Sequence, residues 1–153
     1  MPSYSLFMLF FAAVAAQEDC SVGKGPPPEN PPCAAAQDVV VAFDASLKDL
    51  IAGGDADLTV LLNTIVDAYA VENASPTSPK MALVAFRNEA EVIQDLTSDR
   101  TALLTAVANR AASSGNTCTF CGLEKAQEVL TASGRLTARK VILLIIDGEA
   151  VSF

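Results

Sequence analysis

The sequence predicts an α/β domain built on a largely parallel sheet. Three apolar runs of strand length, at 38–44, 80–86 and 139–148, lack the alternation of polar and apolar residues that marks a half-exposed strand. Such runs are typical of strands that are covered on both faces. Segments of helical periodicity separate these runs along the chain, and strands that alternate with helices favour a sheet with crossover connections.

The segments between these strands complete the predicted element order. Apolar residues at helical spacing indicate a first helix, and they are Leu58, Leu61, Leu62, Ile65 and Tyr69. The shorter run 91–96 follows a brief turn after the second strand, which predicts a hairpin. Two more helices are expected, one over 98–112 with Ser98 as its N-cap, and one over 118–134 that ends at Gly134.

The N-terminal segment predicts a secreted protein. Residues 1–16 contain no charged side chain. The apolar run within them has the length of a signal-peptide core, is too short to span a bilayer, and ends in small residues that suit cleavage after Ala16. A buried N-terminal helix is the alternative interpretation. Residues 17–37 are rich in proline and predict an extended spacer, so the globular domain is expected to occupy 38–153.

The composition disfavours several classes of function. The chain has no histidine, so neither histidine general acid–base catalysis nor histidine metal ligation is available to it. The net charge of −8 disfavours binding to nucleic acid or anionic lipid, and no second apolar stretch reaches the length of a membrane span. A hydrolase based on Ser46 or Asp44 would lack both a histidine base and a Gly-x-Ser-x-Gly signature. We therefore expect a protein that is not an enzyme.

The chain contains four cysteines, Cys20, Cys33, Cys118 and Cys121. An even number behind a leader favours disulfides, and of the three possible pairings we expect the local one, Cys20–Cys33 and Cys118–Cys121. A zinc site would need all four residues in one tetrahedron, and only one pair has the short spacing of zinc modules. The alternative function is a secreted thiol–disulfide redox protein that uses Cys118 and Cys121. The polar loop before Cys118 instead favours a structural disulfide.

Aspartates follow two of the buried strands. Asp44 ends the first strand, with Ser46 two residues later, and Asp147 ends the last strand. Ligands of open α/β sheets bind at the carboxyl ends of strands, where the strand order reverses. A single aspartate at such a position is usually a strand-end or helix-capping residue. Two of them on neighbouring strands, with hydroxyl groups nearby, predict a site for a hard cation.

Four blocks of the sequence resemble, in their order and spacing, the von Willebrand factor type A domain. They lie at 38–46, 81–107, 115–126 and 139–148, so the resemblance covers essentially the whole globular part. It implies a doubly wound, mostly parallel sheet with one short antiparallel edge strand. It also implies a role in adhesion and protein binding through Mg²⁺ or Mn²⁺ at the carboxyl end of the sheet.

The metal motif of the resembled family is Asp-x-Ser-x-Ser, then a loop threonine, then an aspartate before glycine. In this chain Asp44 and Ser46 match the first aspartate and serine, Thr117 matches the threonine, and Asp147 matches the last aspartate. The resemblance implies that an acidic side chain of a protein partner completes the metal shell. Lys48 stands where the second serine would be. This lysine predicts a degenerate site, with the ammonium weakening or replacing the ion, unless its long side chain turns towards solvent.

Members of the resembled family continue beyond the Asp-Gly dipeptide with further helices and strands, whereas five residues follow Gly148 here. The resemblance therefore implies a domain that is incomplete at its C-terminus. The last strand, which is central in the family, would become an edge with unpaired backbone groups, and such edges favour self-association.

Overall fold

The computed structural model describes residues 12–13, 36–46, 55–69, 75, 77–111 and 116–146. Within these ranges it contains one sheet and three helices. The strands are β1 (Ala12–Ala13), β2 (Gln37–Asp44), β3 (Lys80–Phe86), β4 (Ala90–Thr97) and β5 (Arg139–Ile145). The helices are α1 (Asp55–Ala68), α2 (Arg100–Asn109) and α3 (Thr119–Ser133).

The sheet has the strand order β1-β5-β2-β3-β4. Strand β2 lies parallel to both β3 and β5, while β4 runs antiparallel to β3 as the second half of the predicted hairpin. The mostly parallel α/β fold with an antiparallel edge strand is confirmed. The chain adds β3 on one side of β2 and later returns to add β5 on the other. The strand order therefore reverses at β2, the position where ligands of such sheets bind.

Helices cover both faces of the sheet, because side chains of a strand alternate between its faces. The odd-numbered residues of β2, such as Val41 and Phe43, pack in one core cluster with residues of α1 and α2. The even-numbered Val40 and Ala42 pack in a second cluster with residues of α3. The runs 38–44 and 80–86 are apolar because neither face of these two strands meets water.

Helix α2 begins later than the sequence predicted. Its N-cap is Asp99, whose carboxylate accepts a hydrogen bond of 3.1 Å from the backbone N–H of Ala102. The prediction that Ser98 caps the helix was therefore wrong. The two residues are both good caps, so their sequence alone could not distinguish them.

The outer edge of β5 is covered at two positions. Ala12 pairs with Leu144 and Ala13 with Leu143, in antiparallel orientation. The sequence predicted an exposed edge here and a signal peptide over 1–16, or alternatively an N-terminal helix. The two residues of that segment that the structure describes form a strand, so the edge is partly paired. The remainder of the leader, most of the spacer, and the Cys20–Cys33 pairing lie outside the described residues. Cleavage after Ala16, which the sequence predicts, would remove Ala12 and Ala13 from this edge, and self-association through it stays a prediction.

A buried ion pair fixes the amino end of β2. The carboxylate of Asp38 is fully buried and accepts from the backbone N–H of Arg135 at 2.6 Å and from its Nε at 2.8 Å, while Arg135 Nη2 lies 2.7 Å from Asp38 Oδ1. The same guanidinium donates to the carbonyl of Gln37 at 2.9 Å. Arg135 follows α3 by two residues, so this contact attaches the end of α3 to the start of β2.

We expect Arg135→Ala to lower the free energy of unfolding by about 3 kcal/mol, because it leaves the Asp38 carboxylate buried without a cation. Denaturant unfolding of the full chain measures this value. Arg100→Ala is the matched control. Arg100 pairs with Asp67 in an exposed salt bridge, and pairs of this kind contribute less than about 1 kcal/mol. Equal losses in the two variants would contradict the prediction.

Candidate functional site

The chain turns at the carboxyl end of β2, where Asp44 accepts hydrogen bonds from Ser46. Asp44 is fully buried, and its Oδ1 accepts hydrogen bonds from the backbone N–H of Ser46 at 2.8 Å and from Ser46 Oγ at 2.6 Å. An aspartate side chain that bonds the backbone two residues ahead forms an Asx turn. The Asp-x-Ser sequence therefore turns the chain out of the sheet and places the serine hydroxyl beside the carboxylate.

Thr117 joins the same cluster from a distant part of the chain. Its Oγ1 donates to Asp44 Oδ2 at 2.7 Å and lies 3.4 Å from Ser46 Oγ. Ser46 and Thr117 are 6% and 8% exposed. Three of the four residues that the sequence selected are thus brought together, although 73 residues separate Asp44 from Thr117.

The turn between β3 and β4 holds the loop that carries Thr117. The backbone N–H of Asn116 donates to Asn88 Oδ1 at 2.9 Å, and that of Cys118 donates to the carbonyl of Arg87 at 2.6 Å. Both neighbours of Thr117 are therefore attached to the hairpin. Nothing in the sequence indicated this role of the turn. The Arg-Asn-Glu stretch gave only the signal of a tight turn.

Cys118 and Cys121 form a disulfide at the start of α3, as the local pairing predicted. Cys118 is the N-cap of the helix, and its Sγ accepts from the backbone N–H of Cys121 at 3.2 Å. The residue before Cys118 is Thr117, so the cross-link lies directly beside the hydroxyl cluster.

The two buried aspartates of β2 differ in how their charge is compensated. Asp38, at the amino end, pairs with Arg135. The described partners of Asp44, at the carboxyl end, are hydroxyl and backbone N–H groups, and none of the ion pairs among the described residues involves it. Burying a carboxylate without a compensating cation is costly. A positive charge near the carboxyl end of β2, from the protein or from a bound ion, would therefore be stabilising.

The donor atoms fit a hard divalent cation. Both hydroxyl hydrogens are directed to Asp44, which leaves lone pairs on Ser46 Oγ and Thr117 Oγ1 for a metal. Neighbouring ligands in a magnesium octahedron are about 3.0 Å apart, and the two hydroxyl oxygens are separated by 3.4 Å. Among the residues that the structure describes, no group of three or more His, Cys, Asp or Glu side chains could hold a metal. The cluster instead combines one carboxylate with hydroxyls.

Asp147 and Lys48 lie outside the described residues, so their side chains add nothing to this geometry. What the structure does establish is the relation of their strands. β5 is the parallel neighbour of β2, with Ile145 in register with Phe43, so the carboxyl ends of these two strands meet at one edge of the sheet, as the sequence predicted.

The surface beside the cluster has an apolar part. Phe120 is 70% exposed and Leu123 is 37% exposed, both in the first turns of α3. On the opposite side of this helix, Gly122 faces the sheet, where an added Cβ would lie 2.4 Å from Cδ1 of Phe86. The glycine thus lets α3 approach closely and leaves Phe120 directed away from the core.

No described helix combines the length and apolar character needed to cross a bilayer.

Comparison with known proteins identifies the family. The sequence profile described as von Willebrand factor type A domain matches residues 51–149, which is more than half of the 153-residue chain. The matched range contains Thr117 and Asp147 and begins after Asp44, Ser46 and Lys48. No curated protein gives a significant match to the chain.

Several solved structures share the fold. The von Willebrand factor domain of the type V pili tip protein Mfa5 from Porphyromonas gingivalis is 21% identical, with a TM-score of 0.58 over 71% of this chain and 36% of that one. Proximal thread matrix protein 1 from the mussel byssus, with a zinc-occupied MIDAS motif, is 25% identical, with a TM-score of 0.60 over 72% and 28%. The SpRpn10 VWA domain is 20% identical, with a TM-score of 0.59 over 76% and 62%. The chain spans about a third or less of the first two proteins.

We expect Thr117→Val to destabilise the fold by about 1–3 kcal/mol, because Asp44 Oδ2 loses a hydroxyl donor inside the protein. Thr117→Ser keeps the hydroxyl and should cost about 1 kcal/mol or less. Denaturant unfolding in metal-free buffer compares the two variants. If both are destabilised equally, the hydrogen bond to Asp44 contributes nothing and the prediction is wrong.

Proposed function

Because the chain belongs to the von Willebrand factor type A domain family, whose domains are protein-interaction modules, we propose that it is a secreted, non-catalytic adhesion protein. We propose further that its binding site is the carboxyl end of β2, where Asp44, Ser46 and Thr117 meet. In this proposal the site holds Mg²⁺ or Mn²⁺ as a metal-ion-dependent adhesion site, and Lys48 makes it degenerate.

The observation that carries this proposal is that the buried carboxylate of Asp44 contacts no cation among the described residues. Its carboxylate is fully buried, yet its described partners are all neutral groups. The other buried aspartate of the same strand has an arginine. A cation at the carboxyl end would compensate the charge of Asp44, as Arg135 compensates that of Asp38 at the amino end.

Each described residue of the site has a defined task. Ser46 and Thr117 would hold the ion through their hydroxyl oxygens, and Asp44 orients both hydroxyls by accepting their hydrogens. The matching of Asp147 to the family motif supports a second carboxylate from β5. A bound Mg²⁺ or Mn²⁺ supplies an open coordination position, which an acidic side chain of a partner protein would fill. This is binding chemistry, and it requires no acid, base or nucleophile.

Lys48 distinguishes this chain from the family motif. It replaces a hydroxyl ligand by an ammonium four residues after Asp44. A cation close to the metal position repels the ion, and at about 4 Å and an effective dielectric near 20 two unit charges repel by about 4 kcal/mol. We propose that the ammonium weakens metal binding and supplies part of the positive charge that Asp44 requires.

Secretion and an extracellular partner are supported by three observations. The uncharged apolar leader and the Cys118–Cys121 disulfide suit an oxidising compartment. The acidic surface, with a net charge of −8, disfavours nucleic acid as a partner. Structures that share the fold include a pili tip protein and a thread matrix protein. The exposed Phe120 would add an apolar contact beside the metal.

A thiol–disulfide redox protein is the second candidate. In its favour, Cys118 lies at a helix N-terminus, a position that stabilises a thiolate. Against it, the residues that precede Cys118 are the hydroxyl-site loop rather than the end of a buried strand. Failure to catalyse reduction of a model disulfide, together with metal binding by the oxidised protein, would separate the candidates.

We expect millimolar Mg²⁺ or Mn²⁺ to change the melting temperature of the parent chain very little, and to raise that of Lys48→Ser clearly. A ligand at 100 times its Kd stabilises the folded state by about 2.7 kcal/mol. Differential scanning calorimetry with each ion, and with Zn²⁺ as a third ion, measures the shift. A large shift in the parent that Lys48→Ser does not increase would refute the degenerate site.

Asp44→Asn is the control for the site itself. The amide nearly preserves the shape of the carboxylate but removes the buried charge. The amide nitrogen cannot accept the hydrogen bond that Asp44 Oδ2 accepts from Thr117, so the loss of this bond offsets part of the gain from removing the charge. We expect the variant to lose the metal response in the Lys48→Ser background. A metal response that survives Asp44→Asn would place the ion elsewhere in the protein.

A further inference from the structure

We propose that the Cys118–Cys121 disulfide positions Thr117 for the cation, so that the metal affinity of the site depends on whether this pair is oxidised. The inference rests on the proposed function and adds a redox control that the metal motif does not contain.

Thr117 has no helix or strand of its own to hold it. It lies in the coil that precedes α3, and its own side chain makes the 2.7 Å hydrogen bond to Asp44. On its N-terminal side the constraint comes from Asn116, attached to Asn88. On its C-terminal side it comes from Cys118, whose N–H is attached to the carbonyl of Arg87. The position of the threonine hydroxyl therefore depends on how firmly these two neighbours are fixed.

The helix holds Cys118 in two ways. Its carbonyl accepts from the N–H of Gly122 at 3.2 Å, and its Sγ is bonded to Cys121. Cys118 is also the N-cap residue of α3, and its sulfur accepts a backbone hydrogen bond there. However, a cysteine sulfur is a weak hydrogen-bond acceptor, and cysteine is not among the preferred caps. The covalent bond therefore provides the rigidity that the cap alone would not.

The cross-link extends this rigidity to the sheet. Gly122 follows Cys121 and faces Phe86, so closely that an added Cβ would lie 2.4 Å from the ring. Phe86 is the last residue of β3 and is fully buried. Gly122 packs closely on Phe86 of the sheet, and the residue before it, Cys121, is bonded to Cys118. The sheet is therefore connected to Cys118, the residue next to Thr117.

Reduction would remove one link of this set. A dithiol exchanges with the bridge, its two sulfurs become a cyclic disulfide, and its two protons end on the sulfurs of Cys118 and Cys121. Both cysteines are partly exposed, so a small dithiol can reach them. The reduced loop samples more conformations. Metal binding must then order Thr117, and the entropy lost in this step lowers the metal affinity.

The coupling must act in both directions. If oxidation of the pair raises the metal affinity by a given factor, a bound metal stabilises the disulfide by the same factor. For a two-electron couple each tenfold change corresponds to about 30 mV. As long as the reduced protein remains folded, a disulfide that only stabilises the fold leaves the metal affinity unchanged, and its reduction potential then does not respond to Mg²⁺.

The test uses the full chain with Cys20→Ser and Cys33→Ser, so that one disulfide remains, in the parent and in the Lys48→Ser background. Cys118→Ser/Cys121→Ser is the matched variant, since it removes the cross-link while serine supplies an N-cap oxygen that is a better acceptor than the sulfur it replaces. We expect Mg²⁺ and Mn²⁺ to bind the matched variant about 10- to 100-fold more weakly, the range seen when groups that orient metal ligands are lost. Calorimetric titration measures the affinities.

The second measurement is the reduction potential of Cys118–Cys121 in dithiothreitol buffers, with and without saturating Mg²⁺. A more negative potential with Mg²⁺, by about 30 mV for each tenfold loss of affinity, supports the inference. The inference is overturned if the metal affinities are equal with and without the disulfide, or if the reduction potential is the same with and without Mg²⁺. Either result leaves the proposed function intact. An oxidised protein that binds none of the ions overturns both.

Discussion

The buried carboxylate of Asp44 is the constraint on which the carboxyl end of the sheet depends. β2 is enclosed by β3 and β5 along its edges and by helices on its faces, so its last residue cannot reach water. A carboxylate in that position must find donors in the protein. Ser46 provides them from the following turn, and Thr117 from the loop before α3. The shape of the site follows from satisfying this one group.

The helix α3 connects the two ends of β2. The aspartates of that strand are six residues apart, so they project to the same face, which α3 covers. Thr117 lies just before the helix and meets Asp44, while Arg135 lies just after it and meets Asp38. The two ends of β2 differ in the groups that contact their aspartates. A permanent guanidinium pairs with Asp38 at the amino end, whereas the described partners of Asp44 at the carboxyl end are neutral hydroxyl and backbone N–H groups.

Much of the fold could be predicted from the sequence because its signals are local. The apolar runs of β2, β3 and β5, the short turn before β4, and the spacing of Cys118 and Cys121 each lie within one segment. Three residues of the motif, Asp44, Ser46 and Thr117, lie within hydrogen-bond distance of one another in the structure. The Asp38–Arg135 pair escaped prediction because it joins residues 97 apart. Its signal was a charged residue at the start of an otherwise apolar strand. The pairing of Ala12 and Ala13 with β5 escaped because two alanines carry no periodicity.

The attachment of α3 at both ends has a mechanical consequence. A helix that is held at one end only can slide along its axis by a turn, about 5.4 Å, when a site changes state. Here Arg135 anchors one end to β2, and the contact of Gly122 with Phe86 anchors the other to β3. A shift of α3 along its axis would therefore have to break the Asp38–Arg135 pair and the close packing of Gly122 on Phe86 together.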